Sequence, residues 1–179
     1  MLKDLGATVI DADEAAHAVY EPGSTGFDAV VREFGREYVR DGRIDRARLG
    51  ELVFHDDAAR HRLNAIVHPL VRDWMAARTV EAVEGGAEVV VQDVPLLFEN
   101  GLEGLYPATV LVYVPEALQV KRLVEGRGLN EDRARAMIAS QMPIENKRML
   151  ATYLVDNSGS REATRGQIDR IWREALALR

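Results

Sequence analysis

Cysteine is absent from the 179 residues. That removes disulfides and thiolate metal sites and fits a reducing compartment. Long apolar runs are absent as well. The longest, Val110–Pro115 and Val94–Phe98, fall far short of the ~20 residues that a membrane-spanning helix needs. Met1-Leu2-Lys3-Asp4 meets charge at once and is no secretory signal. Aromatics make up only 6% of the chain and the net charge is −6. Without a basic aromatic surface, this balance argues against nucleic acid as a partner. There are no repeats and no low-complexity segments. Neither G-x-G-x-x-G nor the phosphate loop G-x-x-x-x-G-K-[ST] occurs anywhere. What remains is a globular chain, 47% hydrophobic, long enough for one sizeable core. The expected location is the cytoplasm, with no membrane partner.

What is present centres on Ala7-Thr8-Val9-Ile10-Asp11-Ala12-Asp13. A short β-branched run behind Gly6 reads as a buried strand, and it delivers two carboxylates at its end. In parallel α/β sheets, ligands sit outside the carboxyl ends of strands. Asp11 and Asp13 therefore stand where chemistry is expected. The competing reading is that Asp13 only caps the next helix.

The rest of the chain alternates strands with helices, which argues for a parallel sheet with helical crossovers. Residues 1–5 read as the last turn of a helix ended by Gly6. Helices are expected after Asp13 to Tyr20 and over about 25–34, followed by a turn at Asp41-Gly42. Asp45 caps a short helix with Leu49, Leu52 and Val53 inward. Another opens at His55-Asp56-Asp57 with Leu63 and Ile66 inward. A separate long helix is expected over about 68–84, with His68 capping it or meeting a ligand, and Pro69 in its first turn. His55, Asp57 and His61 lack a third placed ligand and read as a solvated helix start rather than a metal site. Strands follow at Val89–Val91, stopped by Pro95, and over 109–114. Helices are then expected over about 116–126, from the cap Asn130 to Gln141, and from Pro143 to Ala151. Tyr153-Leu154-Val155 is the last strand and 161–178 the last helix, its stripe Ile168, Ile171, Trp172, Ala175 and Leu176. Residues 121–148 carry a local charge of +3, so the remainder carries −9. A basic island in an acidic chain suits a polyanionic ligand. It also suits a solvated helix face with i,i+4 ion pairs.

Ordered along the chain, a set of stretches resembles the dephospho-CoA kinase family. They are Leu5-Gly6 with Val9-Ile10-Asp11-Ala12-Asp13, Glu21-Pro22-Gly23, Phe34-Gly35, and Leu63-Asn64-Ala65-Ile66-Val67-His68-Pro69-Leu70. They continue with Val94-Pro95-Leu96-Leu97-Phe98-Glu99, Gln119 to Leu123, Gln141-Met142-Pro143 with Lys147-Arg148, and Val155-Asp156-Asn157-Ser158-Gly159. The resemblance implies an α/β fold: a P-loop kinase-like parallel sheet with helices on both faces. It implies one domain over 1–179, with a mostly helical acceptor-binding part near 14–84 and a helical lid near 122–148. The implied reaction moves the γ-phosphoryl group of ATP to the ribose 3′-hydroxyl of dephospho-CoA, the last step of coenzyme A synthesis, with magnesium. Asp13 matches the carboxylate that accepts the hydroxyl proton, and Asp11 would orient the ribose or the magnesium water shell. Arg122 matches the phosphate-clamping arginine, with Arg127 a second candidate. His68, and Pro95, Leu96, Leu97 and Glu99, would border the acceptor. Asn157 and Gly159 would flank the adenine.

Four positions depart from the family pattern. His17 stands in place of an arginine, Arg127-Gly128 is shifted by one, Met137 replaces a lid arginine and Thr152 replaces an aspartate. The family also begins with a strand, a phosphate loop ending in Lys-[ST] and a full helix. Relative to that motif roughly twenty residues are absent here. The resulting expectation is a chain without its central strand, neither stable nor active, from a late start codon or a fragment. Two alternatives are another small-molecule P-loop kinase and a non-catalytic remnant that binds CoA-like ligands.

Overall fold

The computed structural model describes residues 1–177. It comprises two compact units. The amino-terminal unit is Ala7–Val94; the carboxyl-terminal unit is Met1–Gly6 together with the chain from Pro95 onward.

In the amino-terminal unit, β1 (Thr8–Asp11) runs directly into α1 (Ala12–Val19). Ser24 then starts α2 (Thr25–Phe34): its hydroxyl accepts from the Phe27 N–H at 3.0 Å and donates to the Val19 carbonyl at 2.6 Å. Gly26 is required by close approach, because a Cβ there would collide with the Val19 carbonyl and side chain. The Asp41-Gly42 turn joins β2 (Val39–Arg40) to β3 (Arg43–Ile44) as an antiparallel hairpin. Asp45 caps α3 (Arg46–His55) as expected, its carboxylate accepting from the Arg48 N–H at 3.0 Å.

The two helices expected on either side of His68 are one. α4 (Asp57–Glu84) runs unbroken through Pro69. An interior proline removes a backbone bond and costs about 3 kcal/mol. Packing at both ends outweighs that cost. Leu63 and Ile66 pack with Val30, Phe34, Leu49 and Ala59, while Val71, Trp74 and Met75 pack with Ile10 and Ala15. His68 is therefore an exposed mid-helix residue and not a cap. β4 (Val90–Asp93) lies one to two residues beyond its expected place, because its ladder with β1 runs from Thr8↔Val90 to Asp11↔Asp93, past the apolar run.

In the carboxyl-terminal unit, residues 3–5 form a single tight turn closed by Gly6 at φ 106°, the left-handed geometry that glycine adopts without strain. β5 (Val110–Tyr113) leads to α5 (Glu116–Arg127), α6 (Glu131–Ala139) and α7 (Ile144–Leu150). Asn130 caps α6 through the Arg133 N–H. β6 (Tyr153–Asp156) pairs in parallel with β5, and α8 (Arg161–Ala177) follows. The expected extension of α8 to Leu178 lies outside the described residues. Thr152 clasps the start of this pair. It exchanges backbone-to-hydroxyl bonds with Thr109 in both directions, at 3.1 and 3.0 Å.

The fold is thus mixed α/β with parallel pairing and right-sized helical crossovers. The pairing takes the form of two separate parallel pairs, β1 with β4 and β5 with β6; among the described residues β1 and β5 each bond one strand only.

Candidate active site

At the end of β1 the two candidate carboxylates have different duties. Asp11, not Asp13, is the N-cap of α1: its Oδ1 accepts the Asp13 N–H at 2.8 Å. The competing reading, that Asp13 only caps the helix, is ruled out by the start of the helix at Ala12, which puts Asp13 inside its first turn. Among the described residues nothing donates to the Asp13 carboxylate. His17, one helical turn on, donates from Nδ1 to the Asp13 carbonyl at 2.7 Å. The ring that replaces the family's arginine is thus seated on its own helix.

The register adds a residue that sequence reasoning passed over. Asp93 ends β4 and pairs directly with Asp11, so two carboxylate-bearing residues stand side by side at one strand end. The sequence signal was an aspartate two residues past the second apolar run, but only the register pairs it with Asp11. No group of three or more His, Cys, Asp or Glu that could hold a metal occurs among the described residues. The set here, two carboxylates, fits magnesium, which takes one or two carboxylates and completes its shell with phosphate and water. His55 ends α3, where it donates to the Glu51 carbonyl, and so does not open the next helix as expected; Asp57 does, and pairs with Arg60 at 3.0 Å.

In the carboxyl-terminal unit, residues 95–102 fold into a tight loop in which Leu96 and Leu97 carbonyls accept from the N–H groups of Asn100 and Leu102. Phe98 is buried, while Pro95 and Leu96 are exposed. Glu99 turns inward. Its Oε1 lies 2.6 Å from the Lys147 Nζ and accepts the Met142 N–H at 3.1 Å. Burial pushes its carboxyl pKa up, but Lys147 and the backbone N–H groups outweigh it and hold the carboxyl below its usual range.

Arg122 projects from α5 and donates to the Asn157 carbonyl at 2.8 Å, so two residues proposed for one ligand do meet. Asn157 continues the β5–β6 ladder through the Tyr113 carbonyl, and its side chain accepts from Thr164 at 3.1 Å. The Ser158 N–H and hydroxyl hold the Asp156 carboxyl low. Gly159 lies exposed in the same loop. Tyr113 donates to Glu145 at 2.7 Å, and that carboxylate raises its phenol.

The basic island resolves into two groups. Lys121, Arg135 and Arg148 pair with Glu125, Glu131 and Glu145, and Lys147 pairs with Glu99. Arg122, Arg127 and Arg133 have no carboxylate partner among the described residues and are exposed. Arg133 was not singled out in the sequence, although Leu129 and Met137, four residues to either side, deny it an i,i+4 acid. Arg127 and Met137 line a shallow groove of about 330 Å³ between α5 and α6 with Gln119, Leu123, Ile138 and Gln141. There Met137 serves apolar contact and not charge.

Among the described residues no helix is long and apolar enough to cross a membrane. The family model for dephospho-CoA kinase matches residues 1–163. A dephospho-CoA kinase of Geobacillus kaustophilus is 44% identical over 179 residues, covering 99% of this chain and 89% of that protein. One from Thermobifida fusca is 44% identical over 170 residues, covering 94% and 84%. Among solved structures, a crystal structure from Thermus thermophilus superposes with a TM-score of 0.81 at 34% identity, covering 97% of this chain and 87% of that one. Dephospho-CoA kinase from Campylobacter jejuni superposes with a TM-score of 0.72 at 25% identity, covering 98% and 88%. With the family model spanning nine-tenths of its length, the chain belongs to the dephospho-CoA kinase family.

Proposed function

We propose that the chain transfers the γ-phosphoryl group of ATP to the ribose 3′-hydroxyl of dephospho-CoA. The observation that carries this reading is the division of labour at the end of β1. Asp11 meets the needs of the helix start, which leaves the Asp13 carboxylate without a donor among the described residues. A carboxylate so placed accepts the proton of an attacking hydroxyl.

Phosphoryl transfer asks the protein mainly to position reactants and neutralise charge. Arg122, Arg127 and Arg133 are the cations available for phosphate oxygens, and the planar guanidinium suits bidentate contact. Asp11 and Asp93 would hold magnesium, which would supply positive charge to offset that of the phosphates. Pro95, Leu96 and Leu97 contact the acceptor, as does His68, with Glu99 behind them. Asn157 and Gly159 flank the adenine. Residues 122–148 act as the lid, whose closure excludes water and prevents hydrolysis of ATP.

The test is a kinase assay with dephospho-CoA beside nucleoside and sugar acceptors, on residues 1–179 and on the chain read from further upstream in the same frame. Phosphorylation of dephospho-CoA in preference to the others supports the reading. Preference for another acceptor replaces it with a different small-molecule kinase. Binding of dephospho-CoA without turnover by either protein points to a non-catalytic binder. In the active protein, Asp13→Asn should lower kcat by about 10²–10⁴-fold, the usual worth of a general base, with ATP binding retained. Unchanged turnover would remove Asp13 as the base.

A further inference from the structure

Lys147 is the one formally charged side chain among the described buried residues, 7% exposed. Its partner Glu99 has a side chain 18% exposed. Glu99 Oε1 receives both the Lys147 ammonium and the Met142 N–H, while Gln141 Oε1 lies 3.5 Å from the same ammonium. Glu99 Oε2 is buried without a hydrogen-bond partner among the described residues. A half-satisfied buried ion pair is a poor way to gain stability. Apolar residues of the same size do as well or better, because they avoid the desolvation of two charges. The pair therefore needs a reason other than stability.

That reason lies in what it joins. Glu99 closes the loop that presents Pro95 and Leu96 to solvent. Met142 immediately precedes Pro143, where the chain leaving α6 turns into α7, and Lys147 lies one turn into α7. One carboxylate oxygen thus fastens two points of this bend to the 95–99 loop. A hydrogen bond to a charged group is short and directional, so it sets a position that apolar packing would leave loose.

We propose that Lys147 and Glu99 are positioning residues that couple the 95–99 loop to the trailing hinge of α6. Displacement of one moves the other. On the reading under Proposed function, which this coupling extends, seating the acceptor on Pro95–Leu97 places the lid.

The experiment compares the chain with Lys147→Met, Glu99→Leu and the double variant. The readouts are thermal melting and amide hydrogen exchange of residues 131–140, with which neither side chain has a hydrogen bond or ion pair among the described residues, with and without dephospho-CoA. Both single variants melt lower. The double variant, its pair replaced by apolar side chains, melts close to the parent. Positioning then predicts that residues 131–140 still exchange about tenfold faster in the double variant, since local opening is separable from global stability. It also predicts that dephospho-CoA no longer slows them. A merely structural pair predicts parental exchange once melting is restored, and that result overturns the proposal. So does a double variant that melts as low as the singles. If dephospho-CoA leaves exchange of the parent unchanged, the acceptor reading falls, while the comparison without ligand still decides the coupling.

Discussion

Within each unit the balance of apolar packing and polar bonding differs. The amino-terminal unit rests on apolar clusters: Val30, Phe34, Ile44, Leu49 and Ala59 in one, Ile10, Ala15 and Met75 in the other. The carboxyl-terminal unit also buries Phe98, Leu111, Val114, Val120, Ala134 and Val155, and adds polar ties between distant parts of its chain. Thr109 clasps Thr152, Lys147 meets Glu99, Gln167 bonds both backbone groups of Asp156, and Arg165 reaches Asp4 at 2.9 Å. Its strand β5 leaves Val110 and Val112 half exposed, at 41% and 55%. Apolar burial is non-directional and tolerates adjustment. Polar ties fix geometry, yet they fail abruptly when one partner is lost. The unit that carries the proposed lid is thus the one whose shape depends in part on a few directional bonds.

Each unit holds one of the two tryptophans, Trp74 and Trp172, so fluorescence reads them separately in single-tryptophan variants. The largest effect is expected from Lys147→Met, which leaves the Glu99 carboxylate buried and unpaired. A broken buried pair costs about 3–5 kcal/mol, seen in urea melts at Trp172. Next comes Val30→Ala in the apolar unit, at about 1.5–3 kcal/mol for a fully buried valine, seen at Trp74. Equal losses at both probes for either variant would show the units melting as one and dissolve the contrast. Thr152→Val should cost about 1–3 kcal/mol by leaving Thr109 groups unpaired; no loss would mean that the clasp is ornamental.

The smallest effect is acid sensitivity. Asp4, held low by its bond to Arg165, belongs to the carboxyl-terminal unit, as do Glu99, Asp156 and Glu162. A carboxyl whose pKa is lower folded than unfolded adds stability in full above the ordinary carboxylate range. That stability is lost as pH falls through the lowered value. Trp172 should therefore report loss of structure at a higher pH than Trp74. The effect is modest because Asp4, Asp156 and Glu162 are solvent-screened. A coincident transition, or Trp74 changing first, would overturn the ordering.

Local signals carried much of this fold into the sequence. Asp45 and Asn130 cap the helices expected of them, Gly6 takes the left-handed position, and α2 spans the expected residues. These depend on a few neighbouring residues and are readable wherever they occur. The misreadings came from contacts distant in sequence. His68-Pro69 looks like a helix start, yet two separate apolar clusters carry α4 across it. Asp13 looks like a cap until β1, extended by its ladder with β4, puts the start of α1 at Ala12. Arg122 and Asn157 were both singled out as ligand residues, but only the fold brings them within a hydrogen bond. Asp93 gained its place beside Asp11 from strand register alone.

The amino-acid sequence by itself determined the family, from the order of short stretches along the chain, and the acidic strand end and helical caps, because each of these is written in residues close together. Tertiary structure decided which carboxylate caps and which is left free, which arginines of the basic island lack a carboxylate partner among the described residues, and that Glu99 faces Lys147. Those outcomes depend on distances between residues far apart in the chain, and such distances exist only once the backbone has closed its ladders and buried its apolar faces.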